Sequence, residues 1–192
     1  MYRTITSRLC FGLALLAAAI STPAAAGSLE GDFEVRSAYL VYDHGVVQLN
    51  AHVQYPLNDR IRTALLDGVT LAFDLDVTIS RRRRLWVNAG ILDMNLRREL
   101  SFHAVTNRYV LRGPDGSEQE SFATVEAALE RLGRVEDLPI LDESQLTGPG
   151  PWQVGVRADV RRGQLPGALR ALLFWSDDWN RSSDWYSWTL TR

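Results

Sequence analysis

The residues with chemistry to offer gather at the end of the chain. Asp177, Asp178 and Asp184 are interleaved with Trp175, Trp179, Trp185 and Trp188, four of the protein's six tryptophans. Carboxylates beside indoles allow two kinds of work. One is hydrolysis, which needs two acids at a set separation in a cleft; the other is binding, with a saccharide or a protein laid on an exposed ring. A structural role competes with both, because aspartates next to Asn180, Ser182 and Ser183 can hold turns through side-chain-to-backbone hydrogen bonds, while the tryptophans form core. Size helps to divide these. A packed tryptophan buries ~150–250 Å², so four exposed ones would make a patch of roughly 600–1,000 Å², above the ~300–600 Å² usual for a soluble monomer. Most are therefore core, leaving one or two for the surface. Asp184–Leu190 alternates with the period of a strand, placing Tyr186, Trp188 and Leu190 on one face and Trp185, Ser187 and Thr189 on the other. With the first face inward, Trp185 looks outward. The candidate binding residues are thus Asp177, Asp178, Trp179, Asp184 and Trp185; no catalytic residue and no metal ligand is assigned.

Elsewhere the polar residues read as surface. Asp74 and Asp76 project from one face of a strand about 7 Å apart, a spacing that admits a general acid and base or a calcium site. No third carboxylate at ligand spacing and no glycine-rich calcium loop accompanies them, so they are expected to be solubilising charges on a wet face. Arg81–Arg84 is expected to be a solvated corner, with an anionic phosphate or lipid as the alternative occupant. His44, His52 and His103 fall in a turn or on polar faces. There is no G-x-S-x-G elbow, no H-E-x-x-H pair, no phosphate-cradling loop and no dinucleotide fingerprint, and no cofactor is implied.

Residues 1–26 read as an address and not as part of the fold. Arg3 and Arg8 make a basic start, Leu9–Ile20 is a short apolar run, and Pro23-Ala-Ala-Ala26 offers small residues for cleavage after Ala26. The apolar run is shorter than the ~20 residues that span a bilayer, so no stable membrane insertion is expected once it is removed; an uncleaved anchor is the alternative. Cys10, the only cysteine, lies inside it without the small neighbour that a lipid-acceptor site requires. Two arginines and no acids leave with this segment, taking the net charge from −2 to −4 over Gly27–Arg192. Thiol chemistry and disulfides are then excluded from the remaining domain, and an overall acidic chain has no electrostatic case for nucleic acid. All of its basic residues are arginine, which we attribute to genomic base composition.

The elements that must position these residues are mostly strands. Asp32–Tyr42 and Gly45–Tyr55 read as a hairpin about Asp43-His44-Gly45. Asp59–Leu66 reads as a short helix closed by Gly68, and Val69–Ser80 is the cleanest alternating strand. Ile91–Val105 predicts a long strand in which Arg98 breaks the inward phase as a bulge, followed by Asn107–Arg112. Thr124–Leu132 predicts a helix with Thr124 as N-cap. Asp137–Gly150 reads as loop and Trp152–Arg162 as an alternating strand, while Leu169–Phe174 is ambiguous. About seven short strands without helix–strand alternation predict a mainly β, antiparallel sandwich, immunoglobulin-like in architecture, with two short helices in one domain, 27–192.

Three stretches carry a resemblance: Phe102-His-Ala-Val-Thr-Asn-Arg-Tyr109, Ser121-Phe-Ala-Thr-Val-Glu-Ala-Ala-Leu129 and, most specifically, Trp179-Asn-Arg-Ser-Ser-Asp-Trp-Tyr-Ser-Trp188. With the export signal they make the chain similar to the exported Gram-negative family called domain of unknown function 4390. The resemblance implies a small, mainly β, periplasmic protein without an assigned activity. Because family members are often encoded beside a membrane sensor kinase, it also implies a place near envelope signalling, with the kinase's outer domain as a partner. The expectation for function is a non-enzymatic protein-binding module. A glycan-binding sandwich and a carboxylate-based hydrolase are the alternatives.

Overall fold

Alternating apolar residues account for most of the architecture. The computed structural model describes residues 32–56, 59–81, 89–116, 118–146, 150–162 and 180–191. The N-terminal address, Arg82–Arg84, Leu169–Phe174, Trp175, Asp177, Asp178 and Trp179 lie outside them. The described strands are β1 (Glu34–Asp43), β2 (Val46–Gln54), β3 (Leu71–Arg81), β4 (Ala89–His103), β5 (Arg108–Arg112), β6 (Gln119–Phe122), β7 (Arg134–Asp142), β8 (Trp152–Arg162), β9 (Arg181–Ser182) and β10 (Tyr186–Leu190). Two α-helices, α1 (Asp59–Leu66) and α2 (Val125–Gly133), interrupt them.

The strands form two antiparallel sheets. The smaller runs β1-β2-β7; the larger runs β10-β8-β3-β4-β5-β6, with β9 also on β8. Each inner face follows from its sequence. Val47, Leu49, Ala51 and Val53 of β2 are buried, as are Leu71, Phe73, Leu75, Val77 and Ile79 of β3 and Trp152, Val154, Val156, Ala158 and Val160 of β8. Two different layers cover the larger sheet. The small sheet packs on Leu75–Ile79 and Trp152–Ala158, whereas α1 and α2 pack on Leu71, Phe73, Leu100, Tyr109, Leu111 and Val160. Phe33 and Tyr55 touch both cores, and Tyr55 meets Phe73 edge-on at 5.0 Å. The fold is a sandwich over one half of the large sheet and a helix-on-sheet layer over the other.

Local chemistry sets the boundaries. His44 and Gly45 both have positive φ, the pair of left-handed residues that a tight hairpin turn requires. Gly68 closes α1 in the left-handed region, where its N–H donates to the Leu65 carbonyl and that of Val69 to the Ala64 carbonyl, satisfying carbonyls that the helix end would otherwise strand. Thr124 caps α2 by accepting from the Ala127 amide.

Three expectations change. The segment after α2, expected to be loop from Asp137, is the edge strand β7. Its Pro139, its positive-φ Asp137 and two register shifts against β2 conceal the strand period, and an edge tolerates proline because one side needs no donor. The long strand β4 ends at His103; Ala104–Asn107 form the hairpin turn, leaving Val105 fully in solvent. Arg98 marks no bulge. The β3–β4 register is unbroken from Leu71↔Leu100 to Ile79↔Leu92, so Arg98 takes its place on the core face between Leu96 and Leu100.

Candidate binding site at the terminal segment

The last residues run back along the free edge of β8. Arg181 and Ser182 pair with Val160 and Asp159, and Tyr186–Leu190 pair with Val156–Trp152. Between these stretches Ser183, Asp184 and Trp185 stand opposite only Ala158 and Arg157. The extra residue is a bulge, a device that re-aims a side chain. Ser183 makes it tolerable. Its amide donates to the Ala158 carbonyl at 2.8 Å, and its hydroxyl, standing in for a backbone carbonyl, accepts from the Ala158 amide at 3.0 Å. The same hydroxyl donates to the Asp184 carbonyl at 2.9 Å. Ser182 donates to the Asp159 carboxylate. The paired serines of the terminal motif are thus clamps to β8.

The bulge turns Trp185 onto the outer face of the large sheet. The indole lies over Gly155, where an added Cβ would meet Trp185 Cε3 at 3.1 Å and Thr78 Oγ1 at 3.0 Å; a side chain there would lift the ring. The Arg157 guanidinium carbon sits 4.8 Å from the ring centre, a cation–π contact worth about 0.5–1 kcal/mol in an exposed setting. Trp185 nevertheless remains 44% exposed and Tyr186 37%. Tyr186, Trp188 and Leu190 share the opposite face, where Trp188 and Leu190 pack against the core and the Tyr186 ring centre lies 5.8 Å from that of Trp188.

A charged plate holds Arg157 in place. Its Nη2 donates to Asp76 at 2.9 Å, and its Nε faces Asp159 Oδ2 at 3.4 Å. Asp76 also accepts from Asn95 at 2.7 Å. Burial alone would raise the Asp76 carboxyl, but the hydrogen bonds from Asn95 and Arg157 outweigh it and hold the group below its ordinary value. One step along β3, Asp74 is fully buried and receives Arg97 through two N–H groups at 2.7 and 3.1 Å, with Arg161 at 3.5 Å. The expectation of two solvated carboxylates is corrected here: they are the neutralised centre of a polar layer beneath Trp185.

Beside the ring, Asp184, Trp185 and Tyr186 face Asp32, Phe33 and Val35 at the start of β1 across an open cleft of about 310 Å³. Of the candidate binding residues, the structure places Asp184 and Trp185 together at this cleft; Asp177, Asp178 and Trp179 lie outside the described residues. Sequence reading passes over Gly155 and Arg157 and takes Asp76 for a solubilising charge, yet all three support the ring. Alternation puts Gly155, Arg157 and Asp159 on one face of β8, but their meeting with Asp76 depends on the β3–β8 pairing, Asp76↔Arg157, which links residues far apart in sequence. Among the described residues, no group of three or more His, Cys, Asp or Glu is arranged to hold a metal ion.

No curated protein and no solved structure matches the chain. A family model does, over residues 30–189, from the entry to β1 through the bulge and β10. The fold, the clamped terminal segment and Trp185 on its plate are therefore features of a chain that belongs to the family described as domain of unknown function DUF4390.

Proposed function

We propose that this is an exported periplasmic protein that acts by binding another envelope protein through its terminal segment, without catalysis of its own. The observation that carries the reading is Trp185: an indole held 44% exposed on a rigid base of Gly155 and Arg157, beside a cleft shared with the start of β1. Burying such a ring costs little conformational entropy because its orientation is already set, and aromatic anchors of this kind dominate protein interfaces. Tyr186 adds a second aromatic, and β10 lies at the end of the strand order, where a partner's strand can extend the sheet. The partner class is the outer domain of a membrane receptor such as a sensor kinase.

The test is a capture experiment from detergent-solubilised envelope with the protein and its Trp185→Ala variant side by side, the variant's fold checked by circular dichroism. Retention of one specific membrane protein by the wild type and its loss from the folded variant supports the reading. No retained protein with either form, together with quenching of tryptophan fluorescence by envelope oligosaccharides, replaces it with glycan binding, in which a sugar ring stacks on the same indole. Hydrolysis of those oligosaccharides that is lost in an Asp177→Asn, Asp178→Asn, Asp184→Asn variant would overturn both.

A further inference from the structure

A larger cleft, about 570 Å³, lies where the two covering layers meet on the large sheet. Its base is Arg98, the cation that β4 carries on its core face between Leu96 and Leu100. Arg98 donates through Nη1 to the Leu132 carbonyl in the last turn of α2, at 3.3 Å. Among the described residues it makes no ion pair, so most of its five N–H donors are unengaged. The other arginines of the cleft have partners: Arg131 pairs with Glu120 at 3.0 Å and Arg134 with Glu130 at 2.6 Å.

The cleft combines three chemistries. Leu96, Leu111, Leu138 and Pro139 give it apolar walls. Arg98 gives it one cation at the base. Glu118 and Glu136 line it too, and neither makes an ion pair among the described residues. Burial pushes the Arg98 guanidinium below its ordinary value; Tyr55, Glu118 and Glu120 partly counter this and Arg131 adds to it, which fits a cation short of water whose nearby acids stand beyond ion-pair reach. Its volume falls within the ~300–1,000 Å³ of small-molecule sites.

We propose that this cleft binds a small apolar zwitterion, whose carboxylate takes the free N–H groups of Arg98 and whose ammonium faces Glu118 and Glu136. The acids decide against a plain anion. A carboxylate alone gains Arg98 but meets their repulsion; a cation alone gains the acids but leaves Arg98 unpaired. A molecule bearing both charges on a short apolar body, such as an apolar amino acid, answers all three features. A helix cap alone explains Arg98 poorly, since it uses one donor and needs no place on a core face.

The experiment is a ¹H–¹⁵N NMR titration of the folded protein with L-leucine and 6-aminohexanoate, against hexanoate and hexylamine as single-charge controls. At millimolar ligand at least one zwitterion should saturably shift the Leu96, Leu111 and Leu138 amides, with both controls binding more weakly. Arg98→Met should weaken binding about 10- to 100-fold, as loss of a charged hydrogen bond does, while Glu118→Gln should narrow the gap between zwitterion and hexanoate. The wild-type titration needs no variant to fold. Absence of saturable shifts, hexanoate binding as tightly as both zwitterions, or undiminished binding by Arg98→Met would each overturn the proposal.

Discussion

Ser183→Ala tests how the terminal segment is fastened. The hydroxyl accepts the Ala158 amide at 3.0 Å and donates to the Asp184 carbonyl at 2.9 Å, and Ser183 and Ala158 are both buried. Alanine keeps the backbone bond from the Ser183 amide to the Ala158 carbonyl but leaves the Ala158 amide without a partner, out of reach of water. An unsatisfied buried donor costs about 1–3 kcal/mol. In a domain of this size each kcal/mol lowers Tm by about 2–4 °C, so a drop of about 2–12 °C is expected. Urea denaturation gives the free energy, and amide hydrogen exchange locates it: Ala158 should lose protection while Val77, whose strand is paired on both sides, keeps it. A variant within about 0.5 kcal/mol of wild type, the usual range of surface substitutions, with Ala158 still protected, would refute the view that this hydroxyl replaces a ladder carbonyl.

The charged plate gives an asymmetric pair. Arg97→Met should cost about 2–4 kcal/mol by urea denaturation, since it strands the fully buried Asp74 with only Arg161 at 3.5 Å. Asp74→Asn should cost less, because the half-exposed Arg97 side chain returns to water; the reverse order would refute the assignment of the plate. Asp76 supplies a pH dependence. Its folded carboxyl titrates below the ordinary value, so its contribution is complete above the ordinary carboxylate range near pH 4 and fades as pH falls through the folded value. The stability gap between wild type and Asp76→Asn, measured as urea midpoints, should therefore shrink on acidification from neutral pH; a constant gap would sink this. Gly133→Ala normally strengthens a helix, but here the new Cβ would run into the Val53 carbonyl oxygen. Backbone on both sides cannot yield, so a loss of about 1–3 kcal/mol is expected by thermal or urea unfolding, against the gain that helix propensity alone predicts.

How much of this was legible depends on the distance over which each feature is decided. Helix α1, with its closing glycine, and strand β8 are written in local chemistry and period, and both were read at their observed bounds. β7 was missed because Pro139, Asp137 and two register shifts erase the alternation by which a strand is known. Arg98 was read as a bulge because a charge on an inward phase conflicts with an unbroken core, and nothing local shows that the core is broken there by a seam between two covering layers. Asp74 and Asp76 were read as wet for a related reason: strand period tells which face a residue takes, not what covers that face. The site divides along the same line. The indole and the serines stand together in one motif, whereas the glycine, arginine and carboxylate that hold them lie on β8 and β3 and join only through the register Asp76↔Arg157 and the bulge at Ser183. Those supports also separate two roles within the motif. Ser182 and Ser183 bind β8 through the Asp159 carboxylate and the Ala158 amide, so their loss should be felt in stability. Trp185 turns much of its surface away from every described partner, so its loss should be felt mainly in binding.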